Sequence, residues 1–229
     1  NLYNVRRATK GFADYINSQN PEYRQRGVVI AYDSRRMSPE FAKASALVLC
    51  HEGIHVYLFD ELRPVPILSY AVRHLHAIAG IVITASHNPP QYNGYKVYWS
   101  HGGQVGPELA EKIFESIRRA DYFDIDTSSL ASVNESQMIC TVSDLVDEAY
   151  YKKALSLRLN PELMQERGAN FRVVYTPLHG AGLVPVTEIL KRAGLKKLRV
   201  VEEQAQPDGD FPTVAAPNPE DPNAFTLAL

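Results

Sequence analysis

The residues with the greatest chemical reach stand in one run, Thr84-Ala85-Ser86-His87-Asn88-Pro89-Pro90, continued by Gln91-Tyr92-Asn93-Gly94-Tyr95-Lys96. A hydroxyl, an imidazole and an amide occupy consecutive positions, and two prolines stiffen the backbone that presents them. Ser86 is thereby offered on a fixed loop at low entropic cost. Asn93-Gly94 favours a tight turn that folds the chain back and carries Lys96 toward Ser86. An ammonium beside a hydroxyl suits phosphoryl chemistry, as a point charge or, with a lowered pKa, as a general base. The same composition also fits a plain Ser-Asn-Pro turn, and a lone strand lysine is ordinarily a solvated charge. His87 could move a proton or simply hydrogen-bond the loop. A serine-hydrolase nucleophile is disfavoured, because the elbow G-x-S-x-G needs two glycines that this run lacks.

Three further groups bear on the same chemistry. Arg35 and Arg36 follow a strand end, so at most one is expected to face a site while the other pairs with an exposed carboxylate. His179 lies in a strand-to-helix loop with Gly180 and Gly182, whose backbone N–H groups could bind an anion or could merely make a tight turn. Asp208-Gly209-Asp210 looks like a metal loop, but with Phe211-Pro212 behind it the spacing is no EF-hand, and it reads as a turn.

These groups need elements to hold them. Apolar residues recur at helical spacing over 2–18, and 27–32 is a short apolar run rich in β-branched residues that reads as a buried strand. Ser38-Pro39 opens a helix that ends at Gly53, and 54–59 reads as the next strand. That order implies a right-handed crossover in a mainly parallel sheet. A helix near 65–75 leads to the strand at 80–85, after which 95–99 returns as a hairpin partner and Pro107 begins another helix. Ser86 then falls beyond the carboxyl end of a strand, where ligands of open α/β sheets gather. Residues 121–136, rich in Asp, Ser, Thr and Asn, read as a loop between two units. Beyond them come helices near 144–157 and after Asn160-Pro161, a strand at 171–176, a helix over 183–193 closed by Gly194, and a strand at 198–201. The strand, helix, strand order of the first unit thus repeats. The expected fold is α/β, with two similar three-layer α/β/α domains on mixed, mainly parallel sheets, bounded at 1–140 and 141–229.

Composition narrows the partners. The 229 residues carry 24 Lys+Arg against 26 Asp+Glu, a net charge of −2, so no global positive field draws in nucleic acid or an anionic membrane. No apolar run approaches the 18 residues of a membrane span. Cys50 and Cys140 have neither a C-x-x-C nor a zinc spacing, which reads as unbridged thiols in a reducing, cytoplasmic compartment. The chain begins without Met and stops within an apolar helical pattern, as a piece of a longer chain would.

The Ser86 run and the Tyr92-Asn93-Gly94-Tyr95-Lys96 segment together resemble the signature of the α-D-phosphohexomutases, the phosphoglucomutase and phosphomannomutase superfamily. Tyr32-Asp33-Ser34-Arg35, Thr176-Pro177-Leu178-His179-Gly180-Ala181-Gly182 and Pro217-Asn218-Pro219-Glu220 resemble family segments in the expected order. The likeness is greatest to the phosphoglucomutase and phosphopentomutase branch. It implies the first two domains of a four-domain enzyme that interconverts glucose 1-phosphate and glucose 6-phosphate. Ser86 would be the phosphoserine and Lys96 the general base, with His87, close to the phosphoserine, a third catalytic residue and Asn88 beside it a phosphate- or substrate-binding one. Arg35 would belong to the phosphate surroundings. The resemblance also implies Mg²⁺ on the serine phosphate, with its Asp ligands beyond Leu229, and a hexose 1,6-bisphosphate as primer and intermediate. A phosphomannomutase, a phosphopentomutase or a noncatalytic sugar-phosphate-binding relative is the alternative. With the metal carboxylates and the C-terminal domains outside it, the 229-residue chain is expected to fold and to be inactive alone.

Overall fold

A computed structural model of the chain describes residues 1–123, 125 and 137–229. They form two compact units that are not contiguous in sequence. The first comprises Asn1–Tyr32, Met37–Thr84 and Gly94–Ser143; the second comprises Asp33–Arg36, Ala85–Asn93 and Asp144–Leu229.

The first unit is built on a five-stranded sheet. β1 (Val28–Tyr32) and β3 (Ala79–Ile83) are buried on both faces along their whole length, as continuous apolar runs in the middle of a mainly parallel sheet should be. β1 pairs in parallel with β2 (Val56–Leu58) on one side and β3 on the other. β4 (Tyr95–Trp99) closes one edge antiparallel to β3, with Lys96 opposite Val82, and β5 (Ile139–Thr141) closes the other edge beside β2. Alternation decides which helix each face meets. Val28, Ile30 and Tyr32 join one apolar core with Phe12 and Ile16 of α1 (Leu2–Ser18) and Ala42, Ala46 and Leu49 of α3 (Ser38–His51). Gly80, on the opposite face, meets Val72 and Leu68 of α4 (Val65–His74); a Cβ there would come within 2.7 Å of Val72 Cγ2.

α5 (Pro107–Arg119) lies against α1, and Gly11 makes their approach possible. A Cβ at Gly11 would collide with the Ile117 backbone. Arg7 satisfies carbonyls that the end of α5 leaves without helical partners, donating to Ala120 O at 2.8 Å and Arg118 O at 3.0 Å. The Tyr95 hydroxyl lies 3.1 Å from Thr9 Oγ1, and burial pushes its pKa up. Trp99, the single tryptophan, stands among the rings of Phe12, Tyr15 and Tyr23.

In the second unit, α6 (Ser143–Ser156) and α7 (Pro161–Arg167) precede a parallel pair, β6 (Arg172–Tyr175) and β7 (Lys197–Val200), linked by α8 (Leu183–Arg192). Gly194, at φ +107°, ends the helical segment where a side chain would be strained. Arg192 bonds Glu148 of α6 and Glu188 of its own helix, and these partners raise its pKa.

The elements follow the sequence expectations with local differences. The strand expected at 54–59 is confined to Val56–Leu58, and the one expected at 80–85 runs Ala79–Ile83. β5 and the five-residue α2 (Glu22–Arg26) were not anticipated, because neither is long enough to show a period. The loop expected at 121–136 falls mostly on residues outside those described. Among the described residues no helix is long and apolar enough to cross a membrane.

Candidate active site

β3 ends at Ile83, and the chain enters a turn in which Asn88 N bonds Ala85 O at 3.2 Å and Tyr92 N bonds Pro89 O at 3.1 Å. Ser86 occupies the top of this turn in the left-handed region, at φ +59°. For a residue with a Cβ that conformation carries a cost on the order of 1 kcal/mol and persists only where surrounding contacts impose it. Ser86, His87 and Asn88 are exposed, and His87 Nδ1 lies 3.5 Å from Ser86 Oγ. The nucleophile candidate is therefore both presented to solvent and conformationally fixed.

Arg35 supplies the fixing contacts. Its guanidinium is 1% exposed and spends its terminal nitrogens on four carbonyls of the loop. Nη1 donates to Pro89 O and Tyr92 O, each at 2.9 Å, and Nη2 donates to Ser86 O at 2.9 Å and Asn88 O at 2.6 Å. Nε lies 3.2 Å from Asp33 Oδ2. Burial pushes the Arg35 pKa down and Asp33 pushes back, but a guanidinium stays charged in proteins. Arg35 thus meets Ser86 through the backbone behind it. The planar fork is what allows one side chain to collect four carbonyls; an ammonium offers three donors in another geometry.

Arg36, the next residue, points elsewhere and holds the exposed Asp210 carboxylate through Nε and Nη2, each at 2.6 Å. Arg36 thus makes the exposed carboxylate pair expected of one of the two arginines, while the terminal nitrogens of Arg35 are on backbone carbonyls. Lys96 belongs to β4 in the first unit, whereas Arg35, Ser86, His87 and Asn88 belong together in the second.

His179 is drawn into the fold. Its ring, 3% exposed, places Nδ1 3.1 Å from Gln206 O and Nε2 2.9 Å from Thr213 Oγ1. The carbonyl can only accept, so Nδ1 carries a proton. The loop is a tight turn in which Gly180 N donates to Pro177 O at 2.9 Å, with Leu178 and His179, not the glycines, at positive φ. The 208–210 segment is likewise a turn, with Asp210 N on Asp208 Oδ1 at 2.8 Å.

Among the described residues no three His, Cys, Asp or Glu stand together as metal ligands. Asp33 and Asp210 are engaged by Arg35 and Arg36. A hard divalent cation takes about six oxygen ligands. These residues alone therefore do not fit a Mg²⁺ ion; a phosphoryl group on Ser86 would contribute one ligand.

Sequence reasoning singled out Ser86, His87 and Asn88 as candidates from their contiguity. It did not find that Arg35 grips the loop backbone, nor that Phe211 lies under that guanidinium, 5.1 Å from Cζ to the ring centroid.

The family model described as phosphoglucomutase/phosphomannomutase, alpha/beta/alpha domain I, matches residues 1–123, and that for domain II matches residues 148–229. A phosphoglucomutase of Staphylococcus saprophyticus is 38% identical over 228 residues, covering 99% of this chain and 40% of its own. A Haemophilus influenzae protein assigned as a phosphomannomutase is 35% identical over 228 residues, covering 98% and 44%. The solved structure of a Thermus thermophilus protein, assigned likewise, superposes with a TM-score of 0.80 at 26% identity, over 100% of this chain and 47% of that one. The chain thus spans less than half the length of these relatives. With both α/β/α domains matched in order, it belongs to the phosphoglucomutase/phosphomannomutase family.

Proposed function

We propose that these residues are the phosphoryl-carrying part of a cytoplasmic phosphoglucomutase, with a domain I at 1–140 and a domain II at 141–229. Ser86 is the carrier. Phosphorylated Ser86 gives its phosphoryl group to a hexose 1-phosphate, leaving a bound 1,6-bisphosphate. After that intermediate reorients, Ser86 recovers the phosphoryl group from the other end. Storing the group covalently divides one difficult transfer into two in-line displacements.

Lys96 acts as general base on the attacking sugar hydroxyl. His87 and Asn88 flank the carrier, and Arg35 sets its backbone. Mg²⁺ would neutralise charge on the transferring group, held by the Ser86 phosphoryl together with carboxylates supplied outside these 229 residues. The observation that carries this reading is an exposed serine held at positive φ by a buried arginine, in a chain of this family.

The test is a coupled assay of glucose 1-phosphate to glucose 6-phosphate with Mg²⁺ and a bisphosphate primer, on the longer protein that contains this chain. Ser86→Ala should lower turnover by more than about a thousandfold. The 229-residue chain alone should show none. Equal turnover with and without the hydroxyl would remove Ser86 as the carrier. Mannose 1-phosphate belongs in the same assay, because the Haemophilus relative is assigned as a phosphomannomutase at nearly the identity of the Staphylococcus one. Turnover on mannose alone would move the substrate, not the mechanism.

A further inference from the structure

The Asp208-Gly209-Asp210-Phe211 turn has no metal role in these contacts, yet three independent contacts tie it to the segment that holds the Ser86 loop. Gly209 is pressed on the 34–36 backbone: a Cβ there would stand 2.7 Å from Arg36 N and 2.8 Å from Ser34 O. Asp210 accepts from Arg36. Phe211 is 3% exposed, sits at φ +47°, and lays its ring against the Arg35 guanidinium. The turn is itself anchored, since Asp208 N donates to His179 O at 3.0 Å and Phe211 N to Asp208 O at 3.3 Å.

A buried guanidinium keeps its direction while its donors face acceptors and water is kept out; here Nη1 and Nη2 are matched by loop carbonyls and Nε faces only the Asp33 carboxylate, 3.2 Å away. The aromatic face excludes water on one side and attracts the cation without competing for its N–H groups. The contact path therefore runs from the 208–211 turn to Arg35 and from Arg35 to the carbonyls of Ser86, Asn88, Pro89 and Tyr92.

We propose that the 208–211 turn is the positioning element of the Ser86 loop, with Phe211 aligning Arg35 and Arg35 fixing the loop backbone. This rests on the reading of Ser86 as phosphoryl carrier. Neither Phe211 nor Gly209 touches the reacting atoms; both act through Arg35. Their loss should lower kcat more than it raises KM, because misplacement of about 1 Å in an in-line transfer costs about a hundredfold in rate.

The experiment compares Phe211→Leu, Phe211→Tyr and Gly209→Ala with the wild type in the longer protein. Amide deuterium exchange and the kinetics of glucose 1-phosphate turnover are both measured. In Phe211→Leu and Gly209→Ala the 85–93 amides should exchange at least about tenfold faster while 28–32 and 79–83 keep wild-type rates. Phe211→Leu should lose about a hundredfold in kcat with KM within about threefold, and Phe211→Tyr, which keeps the ring, should restore both readouts. Wild-type exchange over 85–93 in Phe211→Leu would overturn the proposal. So would loss of protection spread evenly through the second unit, which would make Phe211 a core residue and nothing more. If the wild type itself turns over no hexose phosphate, the functional reading fails while the exchange measurement still decides the positioning role.

Discussion

Ser86 occupies a backbone conformation that glycine would adopt freely, and this separates its two roles experimentally. Replacing Ser86 by Ala removes the hydroxyl but keeps the Cβ and its strain at φ +59°. Replacing it by Gly removes both. The relief, about 1–2 kcal/mol, is partly offset by the greater freedom that Gly has in the unfolded chain. Ser86→Gly is therefore expected to be more stable than Ser86→Ala by about 1 kcal/mol, measured as the difference in urea midpoints at equal slope, while both are inactive. A less stable Gly variant would mean that the positive φ at Ser86 carries no strain. The site was legible in sequence as far as its members were adjacent. The run from Thr84 to Asn88 announces itself, but the bonds from Arg35 join residues 51 to 57 positions apart. No local spacing encodes them. Phe211 was hidden more deeply, because an aromatic after a turn looks like any core residue until its neighbour is known to be a buried guanidinium.

At the scale of elements, period and punctuation made most of the fold readable. α3 announced itself through Ser38-Pro39 at its start and Gly53 at its end, and β1 and β3 through unbroken apolar runs rich in Val and Ile. β5 could not be read, because its three residues reach their place only by pairing with β2. Nor was Gly11 readable, since within a helical pattern a glycine looks like a weak point. In the fold it is the place where α1 admits the backbone of α5. Gly11→Ala gains roughly 1 kcal/mol in helix propensity but must push the helices apart, and overpacking costs about 1–3 kcal/mol. Net destabilisation of about 1 kcal/mol is expected. Trp99 reports on it, because its ring packs on Phe12 and Tyr15 of α1. Its fluorescence should shift at a lower urea concentration in the variant, and a higher midpoint would show that propensity outweighs the contact.

At the scale of the molecule, the chain crosses between its two units more often than a boundary near residue 140 implies. Asp33–Arg36 and Ala85–Asn93 leave the sheet unit at the ends of β1 and β3 and belong by their contacts to the second. That division has a consequence for any attempt to cut the protein. A piece spanning 144–229 retains β6, α8 and β7, but it lacks Arg35 under Phe211 and the 34–36 backbone under Gly209. Phe211 then loses the guanidinium that covers its ring, and fully burying a Phe side chain is worth about 1.5–3 kcal/mol. That is a large fraction of the roughly 5–15 kcal/mol by which whole domains are stable. Such a piece is expected to show no cooperative urea transition by circular dichroism, and its 208–213 amides should exchange faster than in the 229-residue chain. A sharp transition with protected 208–213 amides would mean that the two short segments merely rest on an already folded unit. Rigidity of the Ser86 loop would then have to arise from β3 and the prolines alone.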